Sequence, residues 1–169
     1  MQYRMKYPSM VGELTLVSDG SNLNGLWMRE QKKDTVTEKG EWREEQVPTL
    51  LFAKQWLDAY FSGKRPDIAL LPLKPEGSEF QQIVWKYLCQ IPYGETTTYG
   101  EIAKKVARQM GKKTMSAQAV GGAVGRNPIG IIIPCHRVIG KDGSLTGYAG
   151  GLENKIRLLA HEGIVLPKK

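Results

Sequence analysis

Gly130-Ile131-Ile132-Ile133 is a wholly apolar run, and Pro134-Cys135-His136-Arg137-Val138 follows it at once. A short β-branched run of this kind reads as a buried strand. Here it would end by delivering a thiol, an imidazole and a guanidinium from an apolar setting, in which His and Arg must find partners or lose solvation. The fold has to supply those partners. A cysteine beside a histidine is often no more than a small buried hydrophobe, and the setting of Cys135 is what raises the alternative of a nucleophile. A thiol is only a few per cent thiolate at neutral pH, so a nucleophilic Cys135 needs a base or a positive neighbour, and His136 and Arg137 offer both. Adjacent residues on an extended chain point to opposite faces, so His136 would reach Cys135 across a turn or through a bridging water. A base of this kind needs an orienting carboxylate. Glu162 is the candidate, because Gly163 stops the helix before it and leaves the acid at a C-terminus, where the helix dipole disfavours it. The plain alternative for Glu162 is an exposed surface charge.

The rest of the chain narrows the function classes. The net charge is +7 with a pI near 9.4, which suits a polyanionic partner. Residues 1–75 hold 11 Lys and Arg against 10 Asp and Glu, whereas residues 76–169 hold 13 against 7, so the basic surplus belongs to the C-terminal half. Two cysteines, Cys89 and Cys135, and two histidines, His136 and His161, form neither a disulfide framework nor a zinc-ligand spacing, so no metal is expected. No run of about 18 apolar residues appears that would span a bilayer, and the start MQYRMKYP lacks the pattern of a signal peptide. The expectation is a cytoplasmic protein with no membrane partner. No P-loop or dinucleotide fingerprint appears, and no cofactor is expected.

Residues 1–30 alternate apolar and polar positions around turn signals at Ser18-Asp19-Gly20 and Asn22-Leu23-Asn24-Gly25, as a β-hairpin or meander does, with Leu14, Leu16, Leu26 and Met28 on one buried face. Residues 31–46 read as a polar loop. Pro48 opens a helix with Leu51, Trp56, Leu57 and Tyr60 at helical spacing, and Gly63 ends it. Three prolines between Arg65 and Gly77 suggest a linker, dividing the chain into a supporting α/β domain over 1–75 and a second domain over 76–169. In the second, Phe80, Val84, Tyr87 and Leu88 share a helix face, and Cys89 near its end reads as a buried hydrophobe. Thr98 caps a short helix to Arg108, and the basic turn Gly111-Lys112-Lys113 joins it to another from Ser116, a plausible helix-turn-helix. That helix contains Gly121 and Gly122, each costing about 1 kcal/mol relative to Ala. Close helix packing and close approach to an outside surface such as a nucleic-acid groove both account for them. A last helix, Leu152 to His161, is expected to bury Leu152, Ile156 and Leu159.

Ile132-Ile133-Pro134-Cys135-His136-Arg137-Val138, with Asn127-Pro128 upstream and Gly147-Tyr148-Ala149-Gly150-Gly151-Leu152 downstream, resembles the active-site signature of the alkylguanine-DNA alkyltransferases, the methylated-DNA–protein-cysteine methyltransferases. The resemblance runs from about Phe80 to Gly163. It implies an α+β protein whose winged-helix-like C-terminal domain enters the DNA minor groove and flips the damaged base from the stack. It implies that Cys135 accepts an alkyl group irreversibly, that His136 activates it through a water, and that Glu162 orients His136. By the same resemblance Asn127 holds the active-site turn, and Tyr99 hydrogen-bonds the guanine and helps neutralise the leaving base. Val124 and Tyr148 form apolar walls, the amides near Cys135 and Ala149 read the base edge, and Lys155 supports Tyr148. Ala117, Gln118, Ala119, Arg126 and Arg137 complete the expected substrate- and DNA-contacting set. Gln118 stands where the family often places an arginine that fills the gap left by the flipped base, and Ala149 where some members carry serine. The implied partner is double-stranded DNA containing alkylated guanine, bound by a monomer.

Three other readings are available to such a sequence. A non-catalytic damage-binding relative would carry another residue, commonly tryptophan, in place of Cys135. A Cys-His hydrolase would need an oxyanion hole and has no use for a basic helix-turn-helix beside its nucleophile. A plain transcription factor gains nothing from a buried Cys-His-Arg turn.

Overall fold

The N-terminal alternation becomes three antiparallel strands, β1 (Gln2–Ser9), β2 (Gly12–Ser18) and β3 (Leu23–Met28). Their register sets Tyr7 opposite Leu14, Leu14 opposite Met28 and Leu16 opposite Leu26. Those five residues are all buried, as the period of two requires. The computed structural model describes residues 1–28, 41–145, 148 and 150–164. Within the stretch read as a loop, residues 29–40 lie outside the described residues, but Trp42–Glu44 forms a further strand, β4, parallel to β1, giving the order β3-β2-β1-β4. A strand of only three residues has no periodicity to detect. What marks it is Arg4 of β1, whose guanidinium lies 5.0 Å from the ring centre of Trp27 and 4.4 Å from that of Trp42.

Helix α1 (Pro48–Phe61) begins with proline in its first turn, where a missing N–H costs nothing, and buries Leu50, Ala53, Trp56, Leu57 and Tyr60. Leu50 replaces the expected Leu51, which is exposed. Tyr7 of β1 donates to Asp58 at 2.6 Å and ties the strand to the helix. The chain divides into two units, residues 1–76 with 128–130, and residues 77–127 with 131–169. Pro128–Gly130 groups with the sheet because Ile129 bridges Leu26, with Leu26 N–H donating to Pro128 and Gly130 N–H donating to Leu26.

In the second unit, α2 (Glu79–Leu88) starts at a capping box in which the Ser78 hydroxyl and the Gln81 side chain each accept the other residue's N–H. It buries Val84, Trp85 and Leu88, while Phe80 and Tyr87 are half-buried. Helix α3 (Tyr99–Gln109) is capped by Thr98, and α4 (Ala117–Gly125) by Ser116. The indole N–H of Trp85 donates to Ala123 of α4 at 2.8 Å. The two-residue strands β5 (Thr97–Thr98) and β6 (Val138–Ile139) pair in parallel.

Two expectations fail here. Ile131–Ile133 is buried but is not a strand; it is a turn, and Ile131 adopts a φ of 69°. A buried apolar run has the same composition in either conformation. Helix α5 (Leu152–His161) buries Asn154, Lys155, Leu158 and Leu159, leaving Leu152 and Ile156 each 47% exposed. The polar pair is buried because its bonds are met, Asn154 donating to Gly150 at 2.8 Å and Lys155 to Val138 at 2.7 Å.

The capping box generates a stability prediction. A Cβ at Gly77 would overlap the Trp85 ring and the Gln81 carboxamide. Gly77→Ala should therefore lower unfolding free energy by about 1–3 kcal/mol; a denaturant midpoint equal to wild type would refute this packing.

Candidate active site

Asn127 follows α4 directly and donates from Nδ2 to the Ile133 carbonyl at 2.8 Å, closing the loop that leads to the thiol. Cys135 N–H donates to the same carbonyl at 2.8 Å, and Arg137 N–H to Pro134 at 3.0 Å. Cys135–Arg137 thus forms one turn of 3-10 helix, and all three side chains are buried. On a strand they would have alternated between faces; the turn gathers them. Ile131, a β-branched residue in the left-handed region, costs about 1–3 kcal/mol, held by the burial of Ile131, Ile132 and Ile133.

Glu162 caps the C-terminus of α5, and its carboxylate is fully buried. His136 Nε2 meets Oε2 at 2.6 Å. Arg137 donates from Nε to Oε1 at 2.8 Å and from Nη2 to Oε2 at 3.1 Å, a two-pronged pair. The Gly94 N–H completes the set at 3.0 Å from Oε1. The positive charge of Arg137 offsets the unfavourable helix terminus. A carboxylate only accepts, so the shared proton of the His136 pair sits on Nε2 and leaves Nδ1 with a lone pair. Nδ1 is buried and has no hydrogen-bond partner among the described residues.

Burial pushes the Cys135 thiol up from its ordinary pKa, while Asn127, Lys155 and Tyr148 pull it down. Desolvation lowers the His136 pKa; Glu162 opposes this, and Arg137 and Lys155 reinforce it. His136 is consequently neutral at pH 7, as a base must be. Burial also lowers Lys155, and Cys135 opposes that shift. The arrangement combines a buried thiol, a neutral imidazole, a fixed carboxylate and the buried amine of Lys155. It is built to move a proton off sulfur and to tolerate the thiolate that results.

Asn127, Cys135, His136, Tyr148, Lys155 and Glu162 come together in this way. Arg137 does not take either place expected of it. Its guanidinium is spent on Glu162 and on the Ile91 carbonyl, which it reaches from Nη1 at 2.7 Å, so it faces neither a DNA phosphate nor the acceptor thiol. Its charge acts on Cys89, whose thiol burial has pushed up to about 11 and which Arg137 pulls down. Tyr99 opens α3 and is half-buried, and Val124 is buried in α4. Ala117, Gln118, Ala119 and Arg126 are exposed on or beside α4. Ala149 lies outside the described residues. Sequence reasoning missed Ile91 and Gly94, which contribute main-chain groups. The signal available was the turn Pro92-Tyr93-Gly94, where Gly94 has a φ of 82°. Among the described residues, no group of three His, Cys, Asp or Glu side chains is placed to hold a metal ion, and no helix is long and apolar enough to cross a membrane.

Comparison with known proteins agrees with this geometry. The family model for the 6-O-methylguanine DNA methyltransferase DNA binding domain matches residues 79–164, and that for the ribonuclease-like domain of the same proteins matches residues 2–75. The methylated-DNA–protein-cysteine methyltransferase of Haemophilus influenzae is 42% identical over 163 residues, covering 96% of this chain and 87% of its own. That of Methanosarcina barkeri is 47% identical over 154 residues, covering 91% and 92%. A crystal structure of Mycobacterium tuberculosis OGT in complex with DNA superposes with a TM-score of 0.79 at 44% identity, covering 95% of this chain and 92% of that one. A buried Cys-His-Glu cluster in a chain matched along nearly its whole length by both models therefore belongs to the 6-O-methylguanine DNA methyltransferase family.

Proposed function

We propose that this protein repairs DNA by moving an alkyl group from the sixth-position oxygen of guanine to Cys135, once per molecule. The observation that supports the assignment of the acceptor is a buried thiol next in sequence to a buried histidine whose Nε2 is hydrogen-bonded to Glu162. His136 Nδ1 takes the Cys135 proton, directly or through one water. The thiolate attacks the alkyl carbon as the carbon–oxygen bond breaks, and guanine leaves with its electron pair on oxygen. Tyr99 donates a hydrogen bond that offsets the charge developing on the leaving base. Lys155 steadies the thiolate until the new bond forms, and Val124 and Tyr148 wall the pocket. The product is a thioether without a carbonyl for water to attack, so the chain is spent after one reaction. The protein acts as a monomer, consistent with the supply of every group in the cluster by one chain, and cytoplasmic placement suits this chemistry.

Helix α4 supports docking on duplex DNA. In α4, a Cβ on Gly122 or Gly125 would meet no atom of the described residues within 4 Å, and on Gly121 would meet the Tyr99 ring at an ordinary 3.7 Å. Packing inside the protein would accept alanine at each, so the cost of these glycines, about 1 kcal/mol apiece, is unexplained by the chain itself. Close approach of a DNA groove explains it. Ala117, Gln118 and Ala119 occupy the exposed first turn of the same helix, and Lys104, Lys105, Arg108, Lys112, Lys113 and Arg126 add exposed charge around it for phosphates. Gln118 would hydrogen-bond the base orphaned by flipping.

The direct test is to incubate the protein with a duplex containing one 6-O-methylguanine and record intact and peptide masses. A single added methyl on the Cys135 peptide, absent from Cys135→Ala, is expected; no mass change in protein that binds the duplex would leave a damage-binding relative instead. A second test concerns α4. Gly122→Ala should raise stability by up to about 1 kcal/mol yet weaken duplex binding severalfold, and undiminished affinity would remove this helix from the interface.

A further inference from the structure

The buried carboxylate at the end of α5 serves two cations, and only His136 has a part in the transfer step as proposed above. We infer that Arg137 is a positioning residue for that step: its two-pronged grip fixes Glu162 as the acceptor of the Nε2 proton and leaves Nδ1 of His136 bare to receive the proton of Cys135. The inference rests on the transfer reading and names the residue that sets the charge state of its base.

The geometry leads there as follows. Each carboxylate oxygen of Glu162 accepts two hydrogen bonds, Oε1 from Arg137 Nε and Gly94 N–H, Oε2 from Arg137 Nη2 and His136 Nε2. These bonds favour the charged form of the carboxyl group. Arg137 is in turn fixed by the Ile91 carbonyl at 2.7 Å, and its Cζ lies 5.7 Å from the centre of the Tyr93 ring. A guanidinium does not give up its proton at any pH a protein survives. At rest the Arg137–Glu162 pair is therefore neutral, and His136 has no net counter-charge inviting a second proton. When Cys135 ionises, its proton moves to Nδ1, directly or through one water, leaving a thiolate and an imidazolium, so that atoms and charge balance.

Without Arg137, Glu162 would be a buried anion with His136 hydrogen-bonded to it. An imidazolium would then be favoured before substrate arrives, and the base would be occupied. The other titratable groups around His136 do not replace Arg137. Lys155 of α5 opposes protonation of His136, and the Cys135 thiol is uncharged at rest. On the far side of Arg137, Cys89 at the end of α2 is a neutral thiol and Tyr93 in the following loop supplies its ring. Tyr148 faces Cys135.

The experiment compares wild type, Arg137→Met and Arg137→Lys in single-turnover transfer from a 6-O-methylguanine duplex between about pH 6 and about pH 8, with the imidazole nitrogens of His136 in the full chain followed by NMR. The variant Arg137→Met is expected to lose about tenfold more rate than wild type on going to the acid end, and Arg137→Lys, which restores the charge, should recover most of that loss. In wild type at neutral pH, NMR should show Nε2 protonated and Nδ1 bare. A pH profile of Arg137→Met parallel to wild type, at whatever absolute rate, would overturn the inference and reduce Arg137 to a structural role. An imidazolium at neutral pH in wild type would overturn it even if Arg137→Met does not fold. Wild type that binds the duplex and transfers nothing would instead overturn the transfer reading, and the NMR result would still stand as a separate fact about His136.

Discussion

The donors that meet at the Glu162 carboxylate come from separate parts of the second unit. His136 and Arg137 belong to the turn that carries the thiol, Gly94 to the loop after α2, and Glu162 itself ends α5. One buried carboxylate therefore ties three segments that share no secondary structure. Such a group is not a large net source of stability, because burying a carboxylate and a guanidinium costs several kcal/mol before their attraction returns it. Removing one partner is a different matter and costs about 3–5 kcal/mol, since the other is left buried and unpaired. The network therefore fixes geometry more than it adds stability, and geometry is what the thiol needs. Ile131, strained at a φ of 69°, and Asn127, bonded to Ile133, hold the turn from the other side.

Much of this was legible in the residues. The period-two pattern located Leu14, Leu16, Leu26 and Met28 on one buried face, and Thr98 and Ser116 marked two helix starts. Glu162 drew attention because a carboxylate at a helix C-terminus breaks a local rule, and the structure shows what offsets it. Other features were hidden for identifiable reasons. Ile131–Ile133 is apolar because it is buried, and composition does not distinguish a buried strand from a buried turn. In α5, Leu152 and Ile156 are spaced as a core face would be, yet the helix turns Asn154 and Lys155 inward because Gly150 and Val138 offer carbonyls to them. No periodicity reports an acceptor supplied by a distant loop. Arg137 was read as a cation for sulfur or phosphate, since its neighbour in sequence is the thiol while its partner lies 25 residues away.

Helix α4 bears on a choice that composition leaves open. Close internal packing and an outside partner both explain a helix containing Gly121, Gly122 and Gly125. Among the described residues almost nothing occupies the space that a methyl group would take, which favours the outside partner. The glycines are then a property of the surface the helix presents, as are the exposed Gln118 and the lysines of the preceding turn. The two halves of the proposed function thus rest on opposite uses of side chains: the reactive cluster is buried and densely hydrogen-bonded, and the helix proposed to dock on DNA is stripped of bulk.

The central claim is that Glu162 organises the base that activates Cys135. The most direct measurement is the single-turnover rate of methyl transfer by Glu162→Gln, scored on the fraction that still binds duplex DNA so that misfolded protein does not count. The glutamine would keep the size of the side chain but lose its charge, and a fall of about a hundredfold or more is expected, the lower range of what positioned general-base catalysis contributes. A rate within about twofold of wild type, too small a change for lost general-base catalysis, would contradict the account and leave Cys135 activated by some other group.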